Sequence, residues 1–348
     1  MTAALAWCGA AHAQSALPLG FFASLDAQHP FWTSVRGFEE AVGRDLNIES
    51  RWRFADSDQY LGYEQIRREL ESAQPVRGAM VTGFKAQGGR FLELIERAKV
   101  PTITFVGFDL NSFGKPRQSN PYWIGAITSN EEDVGYQLAR LLLEEAQRLG
   151  LHGHDGKLHL IGVSGDLSSL LRKAREAGLQ RAVSERAGTV VLDQVVPTAD
   201  WSEREGHAKA LGLLHRYPDA RIVWSANDAI ALGVVKAVRE MGKIPGRDVL
   251  TGGVDWTPEA LHLVARGEMV CSIGGLGFQA GWATILLHDY LNGHDFADDV
   301  GVLIKLPTAT LTQRNAGAYL RAYGEGAWNG VDFTALSKAR NPRLKRYD

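Results

Sequence analysis

From residue 19 onward, short runs of β-branched and aromatic residues alternate with longer stretches in which apolar positions recur every three or four residues. The first kind predicts strands of a sheet covered on both faces, the second predicts amphipathic helices lying on it. Residues 19–24 predict the first strand. A helix begins at Pro30, whose ring suits a first helical turn, and Val35, Phe38, Val42 and Leu46 fall on one of its faces. Strands are predicted at 48–54, 78–82 and 101–107, separated by helices near 61–72 and 89–99. After a loop at 111–121, rich in Asn, Ser, Gly and Pro, a second series runs through strands at 123–127, 158–163, 190–196, 221–225 and 249–254. The pattern predicts two α/β units, each a doubly wound, mostly parallel sheet with covering helices. No sequence word is repeated between the halves.

The 348 residues, 45% hydrophobic and 22% charged, suffice for two globular cores. A net charge of -2 gives no basic patch for a nucleic acid or an anionic membrane. Residues 1–19 contain no charged side chain, are rich in Ala, and place Ala11-His12-Ala13 before Gln14. Residues 1–13 are therefore expected to be a signal peptide, and the protein to be exported to the periplasm. With Cys8 lost in that segment, Cys271 alone remains, so no internal disulfide is expected. Later apolar runs are too short to span a bilayer.

In open parallel sheets, ligands sit beyond the carboxyl ends of the strands. The residues there form one chemical set. Asp26 to Trp32 follow the first strand and end in two rings, Phe31 and Trp32, able to stack on the apolar face of a sugar. Arg175, Trp201, Asn227, Asp255 and Trp256 follow later strands, offering hydrogen-bonding groups for hydroxyls and further ring surface. Asn227, Asp228 and Asp255 also stand where helix N-caps are expected. There is no G-x-S-x-G, H-E-x-x-H or G-x-x-x-x-G-K-[ST] and no Cys pair, so no catalytic residue, metal or cofactor is expected.

The block from Ser225 to Gly233, followed by Gly253 to Ala260, closely resembles the paired signatures of type I periplasmic sugar-binding proteins such as the ribose-binding protein. His29-Pro30-Phe31-Trp32 resembles that family's aromatic turn. The resemblance covers residues 17–312, with a looser similarity to autoinducer-2-receptor-like members. It implies two Rossmann-like lobes joined by a three-strand hinge, with the first lobe at 16–108 plus 276–306 and the second at 109–275 plus 307–348. It implies Phe31, Trp32 and Trp201 as ring platforms, and Arg175, Asn227 and Asp255 as groups holding hydroxyls. It further implies hinge closure at Gly274, Gly275 and Gly277, a monomer, and a membrane partner. That partner is an ABC-type permease in the first reading, a sensor kinase or cyclase in the second. Two departures stand out. Val106 and Gly107 occupy the place of the family's Asp-Arg, and Gly275 that of its hinge glutamine. Arg175→Ala and Asp255→Ala are expected to abolish ligand stabilisation and leave the unliganded melting point nearly unchanged.

Overall fold

The computed structural model describes residues 15–24, 26–83, 87–118, 120–324 and 327–347. The expected signal peptide and Cys8 lie outside them. The chain forms two six-stranded sheets. The first contains β1 (Leu17–Ala23), β2 (Ile48–Phe54), β3 (Gly78–Val81), β4 (Thr102–Thr104), β5 (Trp123–Thr128) and β11 (Leu303–Lys305), all parallel, in the order β11-β5-β4-β3-β1-β2. The second contains β6 (Leu158–Ser164), β7 (Val190–Pro197), β8 (Ala220–Ser225), β9 (Leu250–Val254), β10 (Cys271–Gly274) and β12 (Ala309–Thr312), in the order β12-β10-β9-β8-β6-β7. Only the β10–β12 pair is antiparallel among these. The inner strands of each sheet are buried on both faces, which explains their continuous apolar runs, whereas the edge strands β2, β7, β11 and β12 are only partly buried.

Up to β12 the chain passes between lobes three times: from β5 into the helix Glu131–Leu149, from β10 towards the helix Gln279–Leu291, and from β11 into β12. Gly275 in the second crossing has φ +101°, a conformation that disfavours any side chain, and a Cβ there would lie 3.0 Å from the Pro307 carbonyl oxygen of the third. Gly277 has an ordinary φ and room for a Cβ, so the backbone there makes no demand for glycine.

Two boundaries differ from the expectation. Trp123–Thr128 pairs with β4 and β11, so the first crossing comes after Thr128 rather than at 108/109. The loop at 111–121 is a connection inside one lobe, and its Asn/Pro content reflects a turn rather than a lobe junction. The C-terminal residues do not stay with the second lobe either. The helix Ala316–Tyr323 packs on the second-lobe helix Pro258–Ala265, but the chain then returns to the first lobe. Trp328 packs on Phe38, with ring centroids 4.8 Å apart, and the Phe333 amide donates to Asp45 at 3.0 Å. Buried Asp289 accepts from Ser337 Oγ, the Lys338 amide and the Tyr347 hydroxyl. The tail's apolar and aromatic residues find the uncovered faces of the helices Pro30–Leu46 and Gln279–Leu291, which explains the reversal.

The helix Leu170–Ser184 crosses Glu131–Leu149 at glycines on both sides. A Cβ on Gly178 would sit 1.9 Å from the Glu132 carbonyl oxygen, and one on Gly135 2.0 Å from that of Arg175. Gly178→Ala must push the helices apart, and overpacking of this kind costs about 1–3 kcal/mol. Thermal denaturation of the unliganded variant should show that loss; an unchanged melting temperature contradicts this packing.

Candidate functional site

The carboxyl ends of both sheets face one another across a cavity of about 510 Å³, within the roughly 300–1,000 Å³ usual for small-molecule sites. Helix caps shape the loops that reach it. Ser169, Ser202 and Asn227 each accept an amide hydrogen bond from the first turn of the helix that follows a second-lobe strand. These caps hold the preceding residues at the cleft, where Asp166, Asp200 and Trp201 line the wall. Trp201 Nε1 donates to Asp166 at 3.0 Å, fixing the indole plane.

Arg175 is the centre of the second-lobe wall. Only 4% exposed, it donates from Nε to Glu131 at 2.7 Å and from Nη1 to the Ala226 carbonyl at 2.7 Å, and it lies 5.8 Å from the centroid of the Trp201 ring. Glu131 in turn accepts from Ser129 Oγ. Asp255 also lines the cavity, yet among the described residues its carboxylate accepts no hydrogen bond. Burial pushes its pKa well above the ordinary carboxylate range; Arg175 opposes this, while Asp228 and Glu131 add to it. Its φ is +121°, and Val106 and Trp201 on the same cavity wall have φ +41° and +59°. Such conformations each cost about 1–3 kcal/mol and persist where the surroundings enforce them, commonly at ligand sites.

Asp228 is fully buried and does not line the cavity. Its carboxylate accepts from the Thr257 amide at 2.8 Å, Thr257 Oγ1 at 3.2 Å and Ser272 Oγ at 2.8 Å, tying the ends of β9 and β10 together beneath Asp255. Burial pushes its pKa up to about 7. From the first lobe come Phe31 and Trp32, whose rings meet edge-on at 5.0 Å, together with Val106, Asp109 and His29. Burial lowers the His29 pKa, against the opposing influence of the Trp201 backbone, Asp26 and Asp200. Buried Gln279, at the start of a first-lobe helix, accepts from the first-lobe Val106 amide at 3.1 Å and donates at 3.4 Å to Ser129 Oγ, at the start of the first crossing.

A family model described as "Periplasmic binding protein domain" matches residues 20–295. The chain belongs to this family. Among curated relatives, it is 32% identical over 148 residues to the D-allose-binding periplasmic protein of Escherichia coli, a stretch covering 42% of this chain and 44% of that one. It is 26% identical over 194 residues to the ribose import binding protein of Salmonella typhimurium, covering 56% and 57% respectively. The chain thus spans about half the length of the curated relatives it matches. A crystal structure of a periplasmic sugar-binding protein from Pseudomonas fluorescens superposes with a TM-score of 0.83 at 29% identity, covering 95% of this chain and 97% of that one. No helix among the described residues is long and apolar enough to cross a membrane.

Of the residues singled out in the sequence, Phe31, Trp32, Arg175, Trp201, Asn227 and Asp255 share this cavity. Asp26 and Trp256 do not. Asp26 is exposed and orders its own turn by accepting from the Gln28 amide at 2.8 Å. The Trp256 ring is turned away from the cleft by the left-handed backbone at Asp255 and Trp256; it lies against Gly274 and Tyr319, and Nε1 donates to the Ser272 carbonyl at 3.0 Å. Asn227 is a helix cap as well as a wall residue, its carbonyl accepting from the Ile230 amide at 2.9 Å and its amide donating to the Trp201 carbonyl at 3.3 Å. Glu131 and Gln279 escaped the sequence reading. Glu131 follows a strand end like the others, but β5 had been given to the other lobe. Gln279 lies four residues beyond Gly275, in the first turn of the helix that follows the second crossing.

The burial of Arg175 changes one expectation. Arg175→Ala strands the Glu131 and Asp255 carboxylates, and breaking a buried pair costs about 3–5 kcal/mol, so the unliganded melting temperature should fall sharply. Asp255→Asn should do the opposite. A carboxyl whose folded pKa is raised loses stability as pH rises above its unfolded value of about 3.9. The variant should therefore melt at or above the wild type, by a margin that widens as pH rises above about 4. A margin that shrinks over this range contradicts the assignment.

Proposed function

We propose that the chain is a non-enzymatic periplasmic solute-binding protein that captures a sugar or sugar-like polyol between its lobes and delivers it to an ABC-type importer. One observation carries this: ring surfaces and hydrogen-bonding groups from both lobes line a single enclosed volume, with Phe31 and Trp32 on one side and Trp201, Arg175, Asn227 and Asp255 on the other. A sugar presents an apolar face to indole and phenyl rings and a rim of hydroxyls to guanidinium and carboxylate groups. Trp32 Nε1 is a buried donor with no partner among the described residues, which a ligand oxygen would satisfy.

Closure follows from the wall's composition. A ligand touching both lobes stabilises the closed arrangement by its differential contacts, and the three crossings, with Gly274 and Gly275 in the second, accommodate the rotation. The rim supports a partner that reads both lobes at once. Tyr60, 71% exposed, adjoins the wall residue Gln59 on the first lobe, and Leu167, 67% exposed, lies between Asp166 and Ser168 on the second. Closure brings these apolar side chains into a fixed spacing that a membrane permease can recognise.

A thermal-shift screen over pentoses, hexoses, furanose-forming sugars and cyclic polyols tests the reading. A ligand at a hundred times its dissociation constant adds about 2.7 kcal/mol, and the same compound should lower the radius of gyration in solution scattering. A screen in which only amino acids or peptides raise the melting temperature overturns it.

A further inference from the structure

The following rests on reading the interlobe cavity as a solute site. Among the described residues its wall carries five carboxylates, Asp109, Glu131, Asp166, Asp200 and Asp255, against one guanidinium, Arg175. Four of the five have close partners. Asp109 accepts from the Asn111 and Ser112 amides and from Ser112 Oγ at 2.5 Å. Asp166 accepts from Trp201 Nε1, Asp200 accepts from the Ser202 amide and Arg204, and Glu131 takes Arg175 Nε. Asp255 is left with Arg175 only as a through-space neighbour, since Nε and Nη1 of that guanidinium are committed to Glu131 and Ala226. His29, the wall's one imidazole, is held towards its neutral form by burial and adds no second cation.

A neutral polyol would offer Asp255 hydroxyl donors but no charge. A carboxylated or phosphorylated ligand would bring a further anion among five. An ammonium group supplies both a positive charge to set against these carboxylates and three donors, and the Trp32 and Trp201 ring faces attract a cation as well. We propose that the cavity selects a polyhydroxylated ligand bearing a protonated amine, with Asp255 as its counter-ion, and rejects uronic acids and sugar phosphates. The pKa of Asp255, pushed up by burial, accords with a carboxyl that ionises fully only when a cation arrives. Arg175 then supplies Nη2 to a ligand hydroxyl, and the rings hold the apolar face.

Titration calorimetry on matched triplets at neutral pH tests this: D-glucose, D-glucosamine and D-glucuronate; D-galactose, D-galactosamine and D-galacturonate; D-mannose, D-mannosamine and D-mannuronate. In at least one triplet the amine should bind about tenfold or more tighter than the neutral sugar, a difference of about 1.4 kcal/mol, and no uronate should bind. Asp255→Asn, checked for folding by its melting curve, should bring the amine and its neutral counterpart level. A neutral sugar binding as tightly as its amine, a bound uronate, or an amine preference that survives in Asp255→Asn overturns the proposal while the sugar-binding reading stands. Silence from every triplet member overturns the proposal, and the sugar-binding reading falls with it only if the wider thermal-shift screen is silent too.

Discussion

Among the described residues, one guanidinium serves two carboxylates in the wall of the cleft. Arg175 donates to Glu131 and to the Ala226 carbonyl, and Asp255 shares only what remains of its charge. Much of the second lobe is arranged to make that possible. Gly135 and Gly178 let the Arg175 helix approach the Glu131 helix to backbone contact. Asn227 caps the next helix and holds the loop whose carbonyl, at Ala226, receives Nη1. Asp228 clamps Thr257 and Ser272, so the strained turn at Asp255 cannot relax away from the cavity. A ligand is the component that completes this charge arrangement. The unliganded wall holds Asp255 in an unfavourable backbone conformation, with its carboxyl pushed by burial towards the neutral form, a cost in stability tolerated where function needs a poised group.

The first lobe contributes shape more than charge. Phe31 and Trp32 belong to the hydrophobic core and to the cavity wall at once, so each ring is held by packing behind the face it presents. Gln279 joins the Val106 loop of this lobe to Ser129 at the start of the first crossing, and Val106 and Gln279 line the cavity. The aromatic tail adds Trp328 and Phe333 to the outside of the same lobe, against Phe38. The tail also touches the second lobe, since Tyr319 packs on Trp256 and Tyr323 stacks on Trp328.

The strands and the architecture were legible because both sheets bury continuous apolar runs whose ends coincide with turn residues, and β2 falls where its pattern puts it. The site was legible to the extent that function resides at strand ends: Arg175, Trp201, Asn227 and Asp255 all stand just beyond a second-lobe strand. What sequence could not supply was the assignment of strands to sheets, which depends on pairing. Placing Trp123–Thr128 in the wrong lobe hid Glu131, the partner on which Arg175 depends. Nor does a residue type reveal a positive φ. Trp256 follows a wall residue and would face the cavity on an ordinary backbone, but the turn at Asp255 directs it behind the wall. Gln279 was hidden by register, since a hinge rich in glycine gives no periodicity by which to count.

The ionisation of Asp255 tests the account most directly. Carbon-13 NMR titration of labelled aspartate carboxyls, with the Asp255 signal assigned by its loss in Asp255→Asn, reads that group alone. The account predicts a midpoint well above the ordinary aspartate value of about 3.9 in the unliganded protein. A midpoint at or below that value would mean that Asp255 is already balanced by Arg175, and would remove the charge imbalance from which the chemistry of this cleft has been argued.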